Sequence, residues 1–499
     1  MKNNFYITTP IYYVNDIPHI GHAYTTILAD VIARYQRSLD KNVFFLTGLD
    51  EHGQKVQDAA NSNKTDPLSH CNNMSKRFTD LWAKLHISNN DFIRTTQKRH
   101  IKVVQNILNE VMKNGDIYED EYEGLYSVSE ERFITEKEAD TGDFHDIKKL
   151  KEKNYFFKMS KYQNNLIDHI NSNPKFIMPS HRKNEIIGFL NNPLNDLCIS
   201  RPKSRLSWGI ELPFDSGYVT YVWFDALINY ITAPGYLENK NNFEKLWPAN
   251  IHLIGKDILT THAVYWPTML LSAGIPLPKT IFAHGWWLTG DDKMSKSKGN
   301  VINPMDLIDV YGVDPVRYYL MREMVLGQDA NFTVESFNNR YNSDLANDFG
   351  NLLSRISTLI NKNFNGIIPD ISSYGVEESK IEKHAEQLII KYDDLMNRLL
   401  LNEAIEEIFQ YIRSINRYFE HKAPWKLVKK DLSDAATVLH VGSQALIICS
   451  MLLHPIMPNR VKKLLDVFNV KSIDKTWGSL PVGSKLAPHQ PLFPRIKSN

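Results

Sequence analysis

The sequence predicts an α/β protein: a doubly wound parallel sheet, interrupted by an insert of short strands and followed by an α-helical bundle. Three observations predict this. Apolar, β-branched runs ending in polar or glycine residues alternate with helical spacing up to about residue 115, and again from 218 to 300. Between them, from Asp116, short aromatic-rich polar segments take over. Beyond Asn300 the strong period is helical.

At 499 residues the chain has room for several domains of ~100–200 residues each. It is 42% hydrophobic and 23% charged, a globular composition. A net charge of +1 excludes a global basic field, so any nucleic-acid contact must come from local patches. Cys71, Cys198 and Cys449 are far apart and form no C-x-x-C pair, which argues against a disulfide framework and a zinc knuckle. No signal peptide or Arg-rich transit segment is expected before the first strand, and no apolar run reaches ~18 residues. A soluble, cytoplasmic protein without a membrane partner is expected.

Phe5-Tyr6-Ile7-Thr8-Thr9-Pro10-Ile11-Tyr12-Tyr13 reads as a buried first strand. Ile27, Leu28, Val31, Ile32 and Tyr35 then recur at helical spacing, so a helix opens near Gly21. The join is Pro18-His19-Ile20-Gly21-His22. A strand, a tight turn and a helix start make an anion site, because free N–H groups point at the ligand. His19 and His22 share a face and can donate to phosphate oxygens. Gly21 leaves room for a flat base against the backbone. A capping histidine beside a chance one explains this segment alone equally well.

The next strand, Val43-Phe44-Phe45-Leu46, ends in Leu49-Asp50-Glu51-His52-Gly53, where open α/β sheets bind ligands. No G-x-G-x-x-G follows a strand, so no dinucleotide site is predicted. From Asp116, the segments Tyr126-Ser127-Val128, Arg132-Phe133-Ile134 and Tyr155–Met159 look like antiparallel strands, punctuated by Asn-Pro at 173–174 and 192–193. The charge run from Glu130 to Lys153 reads as solvated surface. Parallel strands resume with Tyr218–Asp225, Ile251–Asp257 and Thr280–Gly285. Lys293-Met294-Ser295-Lys296-Ser297-Lys298-Gly299-Asn300 is a basic, glycine-ended loop. Asp314-Pro315 starts a helix with Pro in its first turn. Ile405, Ile408, Phe409 and Ile412 are among the residues that mark the bundle.

In residue, order and separation, His19–His22 and Lys293–Ser297 resemble the HIGH and KMSKS signatures of the class I aminoacyl-tRNA synthetases. The likeness covers essentially the whole chain and is nearest to the methionyl branch. It implies a Rossmann-like catalytic domain in two halves, 1–115 and 218–300, the second carrying the KMSKS loop. An inserted connective domain would occupy 116–217, a stem-contact region 301–345, and an α-helical anticodon-binding domain 346–499. With no cysteine between Cys71 and Cys198, the sequence is similar to the zinc-free subtype. No appended dimerisation module follows the bundle, so a monomer is expected.

The implied activity is methionine–tRNA ligation: L-methionine and ATP, with Mg²⁺, give methionyl-AMP and pyrophosphate, and the methionyl group then moves to the 3′ end of tRNA(Met). By this resemblance His19, Gly21, His22, Lys293 and Lys296 bind ATP, with the two histidines and two lysines catalytic. Asp50 holds the methionine α-ammonium and Tyr13 lines the same pocket. Trp223, Ala226 and Tyr230 share one helical face, and Ile258, His262 and Trp266 another. Aromatic stripes are ordinarily core; here they fall on the family's methionine pocket, where sulfur–aromatic contacts give roughly 0.3–1.5 kcal/mol each. The polar tips of Tyr230 and His262 are placed to bond weakly to sulfur. Thr260-Thr261 stand where the family usually has a basic then an aromatic residue; either the wall is looser or Trp286 or Trp287 compensates. Asn351, Arg355 and Trp425 would read the CAU anticodon, with Lys426, Lys429 and Lys430 adding phosphate contacts or simply forming a solvated face. A larger editing insertion, as in isoleucyl, leucyl and valyl enzymes, does not fit in roughly 100 residues. Other rival readings are a small-molecule adenylyltransferase, which leaves the bundle unexplained, and a non-catalytic tRNA-binding paralogue, which predicts damaged phosphate motifs.

Overall fold

The computed structural model describes residues 3–15, 17–127, 132–134, 139–140, 147–289, 292–293, 302–371, 374–472 and 474–496. At 122–123, 126, 132–134, 150 and 292–293 it describes the backbone alone. The chain forms two compact units: Met1–Pro18 with Asp40–His284, and His19–Leu39 with Gly285–Asn499.

The first unit is built on a six-stranded parallel sheet. Its strands are β1 (Asn4–Tyr13), β2 (Asn42–Asp50), β3 (Asp91–Arg94), β4 (Ile177–Met178), β5 (Ile251–Gly255) and β6 (Ile281–His284), in the order β3-β2-β1-β5-β6-β4. β1 and β2 are buried almost throughout, as strands covered on both faces must be. The order reverses between β1 and β5, the kind of switch point at whose carboxyl ends such sheets take ligands. An antiparallel insert follows the sequence-based expectation: Ile117–Ser127 pairs with Arg132–Ile134 and with Ile147–Phe157, which also pairs with Leu197–Cys198.

Two details depart from the sequence reading. Tyr218–Asp225 is not a parallel strand. Asp215–Thr220 joins a three-stranded sheet beside Ser200–Pro202 and Glu211–Leu212, and Val222–Leu227 is helical. Its first half is solvent-facing, which suits an antiparallel strand and not a buried parallel one. The sheet's sixth strand is β4, two residues long and too short for periodicity to reveal.

The second unit is helical. Its main helices include Val313–Glu323, Asn351–Asn363, Val376–Asn397, Leu401–Lys422, Leu432–Leu453 and Pro458–Val467. Ile405, Ile408, Phe409, Ile412, Ile415 and Phe419 form the buried stripe of Leu401–Lys422. The sequence reading found no membrane-length apolar run. Yet the helix Leu432–Leu453, at 22 residues, is long and apolar enough to cross a membrane, because His440, Ser443 and Gln444 interrupt it only briefly. It is buried inside the bundle, with Ser443 and Ser450 hydroxyls bonded to carbonyls one turn back, as a core helix requires. Gly442 lets the Phe419 ring approach this helix: a Cβ there would lie 2.4 Å from the ring.

The helix Ile20–Ser38 belongs to this unit. Asp30, fully buried on it, accepts from Arg34 and from Arg317 at 2.7 Å each. Arg317, also fully buried, further donates to the carbonyls of Ile456 (2.8 Å) and Pro455 (3.0 Å). One guanidinium thus ties the helix after the first strand to the end of Leu432–Leu453.

Candidate active site

In the first unit, Tyr13 and Asp50 end neighbouring strands and are register partners. Val14 N donates to Asp50 O at 3.3 Å, and Asp50 is 3% exposed. Trp223 and Ala226 lie on Val222–Leu227, and Tyr230 follows on Asn229–Thr232. Ile258 ends a short 3₁₀ turn after β5, and His262 sits in a π-helical turn, Thr261–Tyr265. Such widened turns re-aim side chains and are frequent at functional sites.

The π turn brings His262 onto Tyr230. His262 Nδ1 lies 2.9 Å from Ile258 O, which can only accept, so Nδ1 carries the hydrogen. Nε2 is therefore free to accept from the Tyr230 hydroxyl at 2.8 Å. Burial pushes the His262 imidazole down to about 4, so it is neutral at neutral pH. Burial likewise raises the Tyr230 hydroxyl far above its ordinary range, with the charges of Tyr12 and Asp50 adding to it. The two polar tips thus meet each other. Trp223 stands edge-on to His262 with ring centroids 6.4 Å apart, and Trp266 lies 6.0 Å from Tyr230.

Sequence reasoning passed over His252. Fully buried in β5, it lies 4.3 Å from the Tyr230 ring. It accepts from Trp266 Nε1 at 3.3 Å, which leaves Nδ1 to donate to Thr8 Oγ1 at 2.9 Å. A histidine inside the apolar Ile251–Ile254 run was the available signal.

In the second unit, His19 caps the helix Ile20–Ser38. Gly21 N donates to His19 Nδ1 (3.1 Å), and His19 N donates to His22 Nδ1 (3.2 Å). Because backbone N–H groups occupy both Nδ1 atoms, each neutral ring carries its hydrogen on Nε2. The rings lie 3.9 Å apart, and burial, then the neighbouring His19, lowers the His22 imidazole well below its ordinary value. Gly21 has a second use: a Cβ there would stand 2.9 Å from His19 Cε1, so glycine permits the ring to fold back. Ile20 N donates to Ile302 O at 3.3 Å, joining this helix start to the segment that follows the lysine-rich loop. Lys293 pairs with Leu288 in a short hairpin, while Lys296 lies outside the described residues. Trp287, considered above as a compensating neighbour, is buried here with its ring about 6 Å from Tyr24, Tyr319 and Phe332.

The same unit gathers Arg355 and Trp425. The guanidinium is 5.0 Å from the Trp425 ring centroid and 5.7 Å from that of Phe419, and it pairs with Glu420 at 2.9 Å. Trp425 is only partly buried, Asn351 lies exposed one turn before Arg355, and Lys426, Lys429 and Lys430 are exposed. Among the described residues no three His, Cys, Asp or Glu side chains gather to hold a metal.

Comparison with known proteins bears on both units. The model of class I tRNA synthetases (M) matches residues 5–142 and 141–357, and that of the anticodon-binding domain of methionyl tRNA ligase matches 368–499. The chain is 45% identical to a methionine–tRNA ligase of Fusobacterium nucleatum, over 100% of this chain and 80% of that protein. It is 43% identical to one from Rickettsia conorii, over all of both. The structure superposes on Mycobacterium tuberculosis methionyl-tRNA synthetase in complex with methionyl-adenylate with a TM-score of 0.95 at 38% identity, covering 99% of this chain and 100% of that one.

Proposed function

The chain belongs to the methionyl class I tRNA synthetases, and from that premise we propose how its residues divide the work. It is an enzyme that ligates methionine to tRNA: methionine and ATP give methionyl-AMP and pyrophosphate, and the methionyl group then passes to the 3′ end of tRNA.

In the first step a methionine carboxylate oxygen attacks the α-phosphorus, and the bond to the β-phosphate's bridging oxygen breaks. The nucleophile is already ionised, so no general base is required, and catalysis is positioning plus stabilisation of phosphate charge. His19 and His22 present Nε2–H donors for this, and the capping hydrogen bonds fix those tautomers in advance. Gly21 keeps the approach open, Lys296 neutralises charge on the β- and γ-phosphates, and Lys293 adds to the stabilisation of phosphate charge. Magnesium would ride chiefly on the ATP phosphates, as it does where one or two carboxylates and a substrate share it. No zinc is expected, because Cys71, Cys198 and Cys449 stand on separate elements and offer no thiolate pair.

Asp50 takes the α-ammonium beside Tyr13. Trp223, Ala226, Tyr230, Ile258 and His262 wrap the thioether side chain. Asn351 and Arg355 supply hydrogen bonds to anticodon base edges, and Trp425 supplies a stacking face. The segments 1–115 with 218–300, 116–217, 301–345 and 346–499 are the corresponding catalytic, connective, stem-contact and anticodon domains. The working form would be a cytoplasmic monomer of 57.7 kDa, which light scattering on the purified protein checks.

The single observation carrying this division is the His262 ring bonded to the Tyr230 hydroxyl beside Trp223, in the same unit as Asp50 and Tyr13. Steady-state kinetics test it. Asp50→Ala and Trp223→Ala should raise the KM for methionine about tenfold or more in tRNA-free ATP–pyrophosphate exchange, with the KM for ATP little moved. A larger effect on ATP than on methionine would contradict the assignment.

A further inference from the structure

Outside the residues given roles above lies a second set of buried ionisable side chains in the first unit. Asp225 is on Val222–Leu227, between Trp223 and Ala226. Its Oδ2 is 2.6 Å from His52 Nδ1 and its Oδ1 is 2.7 Å from His100 Nε2. Asp225 and His100 are fully buried and His52 is 5% exposed. His52 stands two residues after Asp50, in the turn that follows β2, and His100 is on the helix Lys98–Lys113.

His100 Nδ1 lies 3.3 Å from the Thr232 hydroxyl, which itself donates to Ile228 O at 3.0 Å, so the His100 ring is held at both of its nitrogens. A buried carboxylate between two histidines is expensive to desolvate and is satisfied in one geometry only. Apolar residues would pack these elements together but would not fix that geometry.

We propose that His52, Asp225 and His100 are positioning residues for methionine recognition, locking the turn that follows Asp50 to the helix that carries Trp223 and Ala226. The proposal rests on the methionine pocket assigned above. The ammonium anchor and the thioether wall come from segments far apart in sequence, and Asp225, on the helix of the wall, hydrogen-bonds to His52, two residues past the anchor. Small misplacement of such groups weakens substrate binding without touching the chemistry.

The test uses the full-length protein in tRNA-free ATP–pyrophosphate exchange, with thermal melting of each variant. His52→Ala removes the donor to Asp225. His52→Asn keeps an amide N–H near the Nδ1 position, and Asp225→Asn removes the charge. His52→Ala and Asp225→Asn should raise the KM for methionine about tenfold, with kcat at saturating methionine and the KM for ATP within about twofold. His52→Asn should recover most of the loss. Trp223→Ala serves as the pocket control. If it raises the methionine KM and the cluster variants do not, the positioning role is overturned. If it too leaves that KM unmoved, the pocket assignment fails and takes the proposal with it. A fall in kcat and a rise in both KM values that track a lowered melting temperature, without rescue by His52→Asn, would mark the cluster as structural and also overturn the proposal. Should Asp225→Asn not fold, the His52 pair decides alone.

Discussion

His22 Nδ1 takes the His19 N–H and His19 Nδ1 takes the Gly21 N–H, so both rings are held by the backbone of the helix start. Gly21 is what permits this, and Gly21→Ala should expel the His19 ring and slow adenylate formation about tenfold or more, read as single-turnover methionyl-AMP formation. Lys296→Ala should slow the same step by ~10² while leaving methionine binding nearly intact, since removing one preorganised charge stabiliser costs roughly that much. Unchanged activation in either variant would contradict the assigned role. His262 makes a pH prediction. Its folded value of about 4 lies below the ordinary 6.5, so as pH falls the unfolded chain binds the proton first. Stability from this group is complete above about pH 6.5 and drains between there and about 4, by up to about 3 kcal/mol. His22 and His252 shift in the same direction, so melting temperature against pH for wild type and His262→Gln isolates the share of His262, with a shallower acid slope expected in the variant. At this scale the histidines of the helix start were legible, because three-residue spacing at a helix start is a local pattern. The cluster at Asp225 was not: its partners lie 125 and 173 residues away, and only tertiary structure brings them together.

At the scale of elements, long periodic segments were readable and short ones were not. Leu401–Lys422 shows its buried face in the bare sequence. β4, at two residues, has no period, and the polar start of Asp215–Thr220 concealed an antiparallel edge in what read as a parallel strand. The π turn at Thr261–Tyr265 was equally hidden, since i, i+4 spacing fits an ordinary helix. Gly442 permits a numerical decision. Alanine gains ~1 kcal/mol in helix propensity over glycine, whereas overpacking against the Phe419 ring costs typically 1–3 kcal/mol. Gly442→Ala should therefore lower the melting temperature of the bundle; a higher one would mean the ring moves aside at little cost.

For the whole molecule, the proposed assignments fall into the two units by chemistry. The first carries every residue assigned to methionine, and the second carries the HIGH helix start and the anticodon candidates. Trp425→Ala should then lower tRNA charging far more than pyrophosphate exchange, and equal loss of both would indicate a folding defect. Composition gave little help here: a net charge of +1 hides any basic surface, and the tRNA reading came from the matched positions of Asn351, Arg355 and Trp425. The central claim, that this pocket selects methionine for adenylation, is met most directly by ATP–pyrophosphate exchange with each of the twenty amino acids in the absence of tRNA. Exchange with methionine alone is predicted. Exchange driven by a different amino acid, or by none, would contradict it.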